Sequence, residues 1–103
     1  MRFEVILSPE AVQDLRRLKA TLRAEVLAAL EAYLRHEPMK VSRSRIKRLR
    51  GLDRPQYRLR VGEVRAFYEV RAFYDVTEST VEILAIVAKS EGESWLAQFG
   101  KRQ

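Results

Sequence analysis

Residues 2–7, RFEVIL, alternate between polar and apolar and then turn wholly apolar, which predicts a short strand. Ser8-Pro9-Glu10 then has the chemistry of a helix start: a capping hydroxyl, a proline in the first turn and an acid near the positive end of the dipole. Ala11, Leu15, Leu18 and Leu22 step by four, three and four residues and make one apolar stripe. Val26, Leu27, Leu30, Tyr33 and Leu34 continue the helical spacing. The pattern predicts two helices, over roughly 9–19 and 21–36, with Thr21 as a weak cap at the break. Pro38 ends the second, because the residue before a proline disfavours helix.

Residues 38–55 are basic and irregular, with a short strand expected at 46–49. Strict alternation returns at Tyr57, Leu59 and Val61, interleaved with Arg58 and Arg60, which predicts a half-buried strand. Gly62-Glu63 fits a two-residue turn with glycine first. Pairing across such a turn sets Val61 opposite Val64, Arg60 opposite Arg65, Leu59 opposite Ala66, Arg58 opposite Phe67 and Tyr57 opposite Tyr68. Leu59, Val61, Val64, Ala66, Tyr57 and Tyr68 then share a core face, while Arg58, Arg60, Arg65, Phe67 and Glu69 share the other. VRAFYE at 64–69 is followed at once by VRAFYD at 70–75, a six-residue tandem repeat. An even period preserves facing, so Arg71 and Phe73 are expected on the arginine face of a lengthened strand. Thr77-Glu78-Ser79 reads as a turn, and the apolar run VEILAIVA at 81–88 as a central strand buried on both faces. In the tail, Ser90 and Glu93 have the spacing of a capping box, and Gly100 is a natural stop. Trp95, Leu96 and Phe99 can share one side of this short helix, which is expected to dock on the sheet edge.

Composition narrows the functions. A chain of 103 residues, 47% hydrophobic, fits one domain spanning 1–103 with a modest core. No run of 18 apolar residues is present and the N-terminus lacks the apolar core of a signal peptide, so neither membrane insertion nor export is expected. The absence of cysteine excludes disulfides, thiol catalysis and thiolate metal sites, and suits a cytoplasmic location. One histidine, His36, cannot build a metal cluster, and no phosphate-binding glycine motif occurs. Neither a metal nor any other cofactor is expected. The charge is uneven: residues 38–71 hold eleven Lys/Arg and three acids, a net of +8, whereas the rest of the chain nets −2. A concentrated basic zone is the electrostatic footprint of a polyanion such as RNA. Within and at the end of that zone, Lys47, Arg48, Arg50 and Arg71 are expected to meet phosphates.

The arginine face changes the picture most. Directly opposed like charges destabilise a sheet, so Arg60 opposite Arg65 is a poor choice for stability alone. Glu63 and Glu69 are expected to offset only part of it. Guanidinium forks match phosphate geometry and stabilise charge that grows on a scissile phosphate. Arginine is a poor proton donor or acceptor near neutral pH, so a nuclease needs another group; Lys89, Tyr68, Glu63 and Glu69 are the candidates.

SPEAVQDLRRL, a second helix, KRLRG, YRLRVGEVRAFYEV and an apolar strand ending in AKSEGESWL together resemble the RelE/ParE toxin superfamily over nearly the whole chain. The resemblance implies an α+β fold of order β-α-α-β-β-β(-β). Two N-terminal helices lie on one face of a mainly antiparallel twisted sheet, the first strand lies beside the last, and a short C-terminal helix follows. It implies the toxin of a bacterial type II toxin–antitoxin pair. RelE-like members cut mRNA on the ribosome as endoribonucleases; ParE-like members poison DNA gyrase without being enzymes. A member that binds RNA or the ribosome and no longer cleaves is a third reading. The implied partners are a cognate antitoxin, the ribosome and mRNA. The RelE-like catalytic positions match Arg58, Arg60 and Arg65, with Lys89 as a further candidate. The RelE-like arginine after the last strand and tyrosine near the C-terminus fall on Ser90 and Leu96, so that half of the site is absent or replaced.

Overall fold

The computed structural model describes residues 2–71 and 79–102. The elements are β1 (Phe3–Leu7), α1 (Pro9–Arg16), α2 (Ala20–Leu34), β2 (Ile46–Arg48), β3 (Leu52–Arg54), β4 (Tyr57–Val61), β5 (Val64–Arg71) and β6 (Ser79–Ala88). A 3-10 turn (Lys89–Glu91), α3 (Gly92–Phe99) and β7 (Lys101–Arg102) complete the order. The architecture is α+β. Five strands form the main sheet in the order β1-β6-β5-β4-β2, parallel between β1 and β6 and antiparallel elsewhere. The short strands β3 and β7 form a separate antiparallel pair.

The first helix begins as its sequence suggests. The Ser8 hydroxyl accepts from the Ala11 N–H at 3.1 Å and donates to the Leu84 carbonyl at 3.1 Å, so one side chain caps α1 and ties it to β6. Asp14 Oδ2 accepts from the Ile86 N–H at 2.9 Å, beyond the point where β1 stops pairing with β6. The break between helices comes earlier and is wider than expected. Helix α1 ends at Arg16 and α2 begins after Lys19, so Thr21 is not its cap. The Arg23 guanidinium explains the early stop, because it donates to the carbonyls of Leu15, Arg16 and Leu18, which a continuing helix would need for itself.

The β4–β5 hairpin has the register that alternation dictates, from Val61 opposite Val64 to Tyr57 opposite Tyr68. Gly62 takes φ +56° and Glu63 no positive φ, which is the backbone of a type II′ turn. Leu59, Ala66 and Tyr68 are fully buried on the helix face with Val26, Leu30 and Leu34 of α2. Tyr68 stacks on Tyr57 with ring centroids 5.5 Å apart.

Strand β6 is interior, between β1 and β5, as expected of an apolar run. Its burial is less uniform, since Glu82 and Leu84 are only half-buried. Glu82 lies on the second face opposite Glu69, and Leu84 sits at a bulge. Phe67 pairs with Ala85 and Tyr68 with Ile83, so Leu84 has no partner on β5. Val81, Ile83 and Ile86 all reach the core although their spacing changes from two to three. The strand already begins at Ser79, so Ser79 is not part of a turn; Thr77, Glu78 and Phe73 lie outside the described residues.

The tail departs most from expectation. Ser90 sits in the 3-10 turn and caps nothing; Glu91 precedes α3 without a side-chain cap, and the Ser94 hydroxyl donates to the Glu91 carbonyl. The capping spacing fails because Gly92 takes helical backbone in the continuous 3-10-to-α turn, leaving no extended residue at Ser90. Gly100 does end the helix, its N–H donating to the Leu96 carbonyl at 2.8 Å. The helix docks across the second face of the sheet, not its edge. Trp95 stacks on Phe67 with centroids 5.0 Å apart and planes 6° from parallel. The arginine-bearing face is therefore a partly covered surface, on which Arg65, Phe67 and Glu69 are all buried.

Candidate phosphate-binding groove

The hairpin and the edge strand set cations in neighbouring rows on this second face. Arg60 faces Arg65 across the turn; one row farther, Lys47, Arg58 and Phe67 lie abreast on β2, β4 and β5. Arg65 is 6% exposed and folds back on its own turn, its Nη1 donating to the carbonyls of Gly62 at 2.8 Å and Val64 at 3.0 Å. Carbonyls satisfy its donors without cancelling its charge. Burial, then the neighbouring Arg58 and Arg60, push the Arg65 guanidinium below its ordinary pKa, and Glu63 opposes them weakly. Burial, then Arg60, do the same to Arg58. The Arg58 Nε is buried and has no hydrogen-bond partner among the described residues. Such an orphan donor costs about 1–3 kcal/mol in a folded protein.

These side chains border a groove of about 610 Å³. Arg58, Arg65 and Phe67 belong to its sheet floor, Lys47 and Leu49 to the β2 side, and Lys89, Ser90, Glu93 and Leu96 to the side built by the 3-10 turn and α3. Glu63 closes the end at the hairpin turn, where its carbonyl accepts from the Lys89 N–H at 2.7 Å. Four cations thus meet two carboxylates around one cavity. That surplus suits a phosphate, and the buried orphan donor of Arg58 points the same way.

Of the residues expected from sequence, Arg58, Arg65, Lys89 and Lys47 come together here. Arg60 is exposed and stands beside Arg65 without lining the groove. The other expected phosphate contacts lie elsewhere. Arg48 pairs with Tyr57 on the opposite face of the sheet, its guanidinium 5.0 Å from the Tyr57 ring centroid. Arg50 is exposed after β2, and Arg71 is exposed at the far end of β5, six residues or about 20 Å of strand from Arg65.

The proton-transfer candidates sort as sharply. The Tyr68 hydroxyl is on the helix face, donating to the Pro38 carbonyl at 2.6 Å, and burial raises its pKa far above the ordinary phenol range. Glu69 lies opposite Glu82, and Arg54 bridges the two at 3.1 and 3.4 Å. Glu69 therefore neutralises Arg54, not the arginine cluster. Lys89 and Glu63 remain at the groove, joined by Glu93, which sequence reasoning had assigned only to a helix cap. The missed signal was Phe67: a large aromatic on the arginine face requires a cover, and the amphipathic tail that supplies it carries Glu93 beside Trp95. Ser90 and Leu96, the two positions that depart from the RelE-like pattern, both border the groove.

A second cavity, of about 680 Å³, lies between the start of α1, β6 and α3. Its three carboxylates, Glu10, Asp14 and Glu82, outnumber its two cations, Arg17 and Arg54, which makes it a poor anion site. Among the described residues, no three His, Asp or Glu side chains converge as metal ligands, and no helix is long and apolar enough to cross a membrane.

Comparison with known proteins agrees with the fold. Residues 5–92 match the family described as the ParE toxin of the type II toxin–antitoxin system parDE. No curated protein matches the chain. Among solved structures, the toxin–antitoxin complex RelBE2 of Mycobacterium tuberculosis is 26% identical, covering 85% of this chain and 99% of that one, with a TM-score of 0.65. A mutant of the Escherichia coli toxin RelE in the free state is 19% identical, covers 92% of each chain and has a TM-score of 0.64. The YoeB/ParE toxin of Agrobacterium tumefaciens is 14% identical, covers 84% of this chain and 98% of that one, and also has a TM-score of 0.64.

Proposed function

This chain belongs to the ParE toxin family of type II toxin–antitoxin systems, and we propose that it arrests growth by cutting ribosome-bound mRNA as an endoribonuclease. The carrying observation is the convergence of Lys47, Arg58, Arg65 and Lys89 on one groove, with the Arg58 Nε unpartnered. The Arg58 and Arg65 guanidiniums clamp the scissile phosphate and stabilise the charge that develops on it; Arg60, exposed beside them, holds an adjacent phosphate. Lys89 assists from the α3 side. The protein works in the cytoplasm, needs no cofactor, and is neutralised by a cognate antitoxin, in keeping with the complex in which the M. tuberculosis relative was solved.

A second reading, inhibition of DNA gyrase by binding alone, is favoured by a specific feature. Ser90 and Leu96 border the groove where RelE-like proteins carry arginine and tyrosine, and the matched family is named for ParE. Pulse labelling of protein and DNA synthesis after induction without antitoxin separates the two. Translation is expected to stop first, with mRNA cut on ribosomes in a purified system. Early DNA damage during continuing translation would reject the mRNA reading in favour of gyrase.

A further inference from the structure

RNA cleavage on this groove, the reading proposed above, requires proton transfer that guanidinium groups do not perform near neutral pH. The RelE-like arginine and tyrosine positions hold Ser90 and Leu96, so the chemistry must come from other groups. Among the described residues lining the groove, the carboxylates and amines are Glu63, Glu93, Lys47 and Lys89. Glu63 stands on the turn that carries Arg65 and acts on it as a counter-charge. Glu93 belongs to a different wall, the first turn of α3, and neither it nor Lys89 is drawn into an ion pair among the described residues. Glu93 follows Lys89 by four residues through the 3-10 turn into α3, both on the groove side. Both reach the cavity that Arg58 and Arg65 also line, where a carboxylate and an ammonium supply the base and the acid that an in-line displacement needs.

We infer that Glu93 is the general base of this groove and Lys89 its general acid, acting on an RNA phosphodiester held by Arg58 and Arg65. The Glu93 carboxylate takes the proton of the 2′-hydroxyl, and that oxygen forms its bond to phosphorus. The bond from phosphorus to the 5′-oxygen breaks, and Lys89 gives a proton to the departing oxygen. The products are a 2′,3′-cyclic phosphate and a 5′-hydroxyl end. Exchange with water returns the proton from Glu93 to solvent and restores the Lys89 ammonium. No oxidant, metal or further co-reactant enters.

The test uses the full-length protein with ribosome-bound mRNA, and Glu93→Gln, Glu63→Gln and Lys89→Met variants checked for unchanged melting. Glu93→Gln is expected to lower the single-turnover rate by about 100-fold or more, within the range for a positioned acid or base. It is also expected to abolish the fall in rate on the acid side of the pH profile, which Glu63→Gln retains. Binding of an mRNA with a 2′-deoxy sugar at the cleavage position, which cannot react, stays within about twofold of the parent. With a 5′-sulfur leaving group, which departs without a proton, Lys89→Met recovers its rate and Glu93→Gln does not. A parent protein that binds RNA and never cleaves overturns the ribonuclease reading and this assignment together. A parent that cleaves while Glu93→Gln keeps its rate and acid limb overturns the assignment alone. So does a loss matched by equally weakened binding of the deoxy mRNA, which would make Glu93 a positioning residue.

Discussion

Arg60 and Arg65 face each other directly across the β4–β5 hairpin, and the carboxylate expected to temper them, Glu69, is held instead by Arg54. The repulsion is therefore offset by little except Glu63 and the carbonyls of the turn. A strand pair under selection for stability alone would not keep this arrangement.

Arg58→Met should separate stability from function. Methionine keeps the aliphatic packing, removes a buried donor without a partner and removes a repelled charge. We expect stability to rise by about 1 kcal/mol in a urea titration, while RNA affinity falls roughly ten- to a hundredfold through the lost charge-assisted contact. A destabilised variant that still binds RNA normally would mean that the guanidinium is structural.

Leu59→Ala probes the other face of the same strand. Leu59 is fully buried against the helices, so its truncation should cost about 2–5 kcal/mol. Activity measured well below the lowered melting point should be intact. Loss of activity in a variant that melts normally would invert the assignment of faces.

Tyr68→Phe carries two expectations. It removes the hydroxyl bonded to Pro38, costing about 1 kcal/mol, and leaves growth arrest in place, because the phenol is on the side of the sheet away from the groove. Above about pH 10 the unfolded chain ionises this tyrosine while the folded protein keeps it protonated, so the parent loses stability as pH rises through that range. Denaturant melts from about pH 8 to about pH 11 should show a shallower decline for the variant.

Arg54→Met should expose the repulsion between Glu69 and Glu82 that Arg54 bridges. Because the arginine is partly exposed, the expected loss is roughly 1–3 kcal/mol. Adding Glu69→Gln should restore part of it, and the double-mutant cycle measures how much. Additive losses would show that the three groups do not act as a unit.

Salt offers a test without mutation. Four groove cations releasing counterions from single-stranded RNA predict a log–log slope of affinity against salt on the order of −2 to −3. A flat response would remove the groove from RNA binding.

The hairpin was legible because two signals agreed: strict alternation on both strands and a glycine-first turn between them. The same alternation predicted a half-buried strand, which leaves the face of Arg58, Arg60, Arg65 and Glu69 without a cover. Phe67 contradicted that reading, but its presence does not reveal which segment covers it. Arg54 was hidden differently. It lies in a three-residue strand whose partner, β7, has two residues, and neither is long enough to show a period. The clustering of Lys47 with Arg58, and the departure of Arg48 to the opposite face, followed from a β2–β4 register that no turn signal announced.

The unpaired Leu84 has an effect beyond its own strand. Before it, the odd-numbered residues Val81 and Ile83 point to the helices; after it, the even-numbered Ile86 does. One extra residue has reversed the parity of the strand. Carried forward in its original phase, the chain would have turned Ala85 to the helix layer and Ile86 toward the arginines. The half-step at Leu84 thus works as a phase inverter: it gives the helix layer the bulky Ile86 and leaves the small Ala85 beside Phe67, on the face that Trp95 covers.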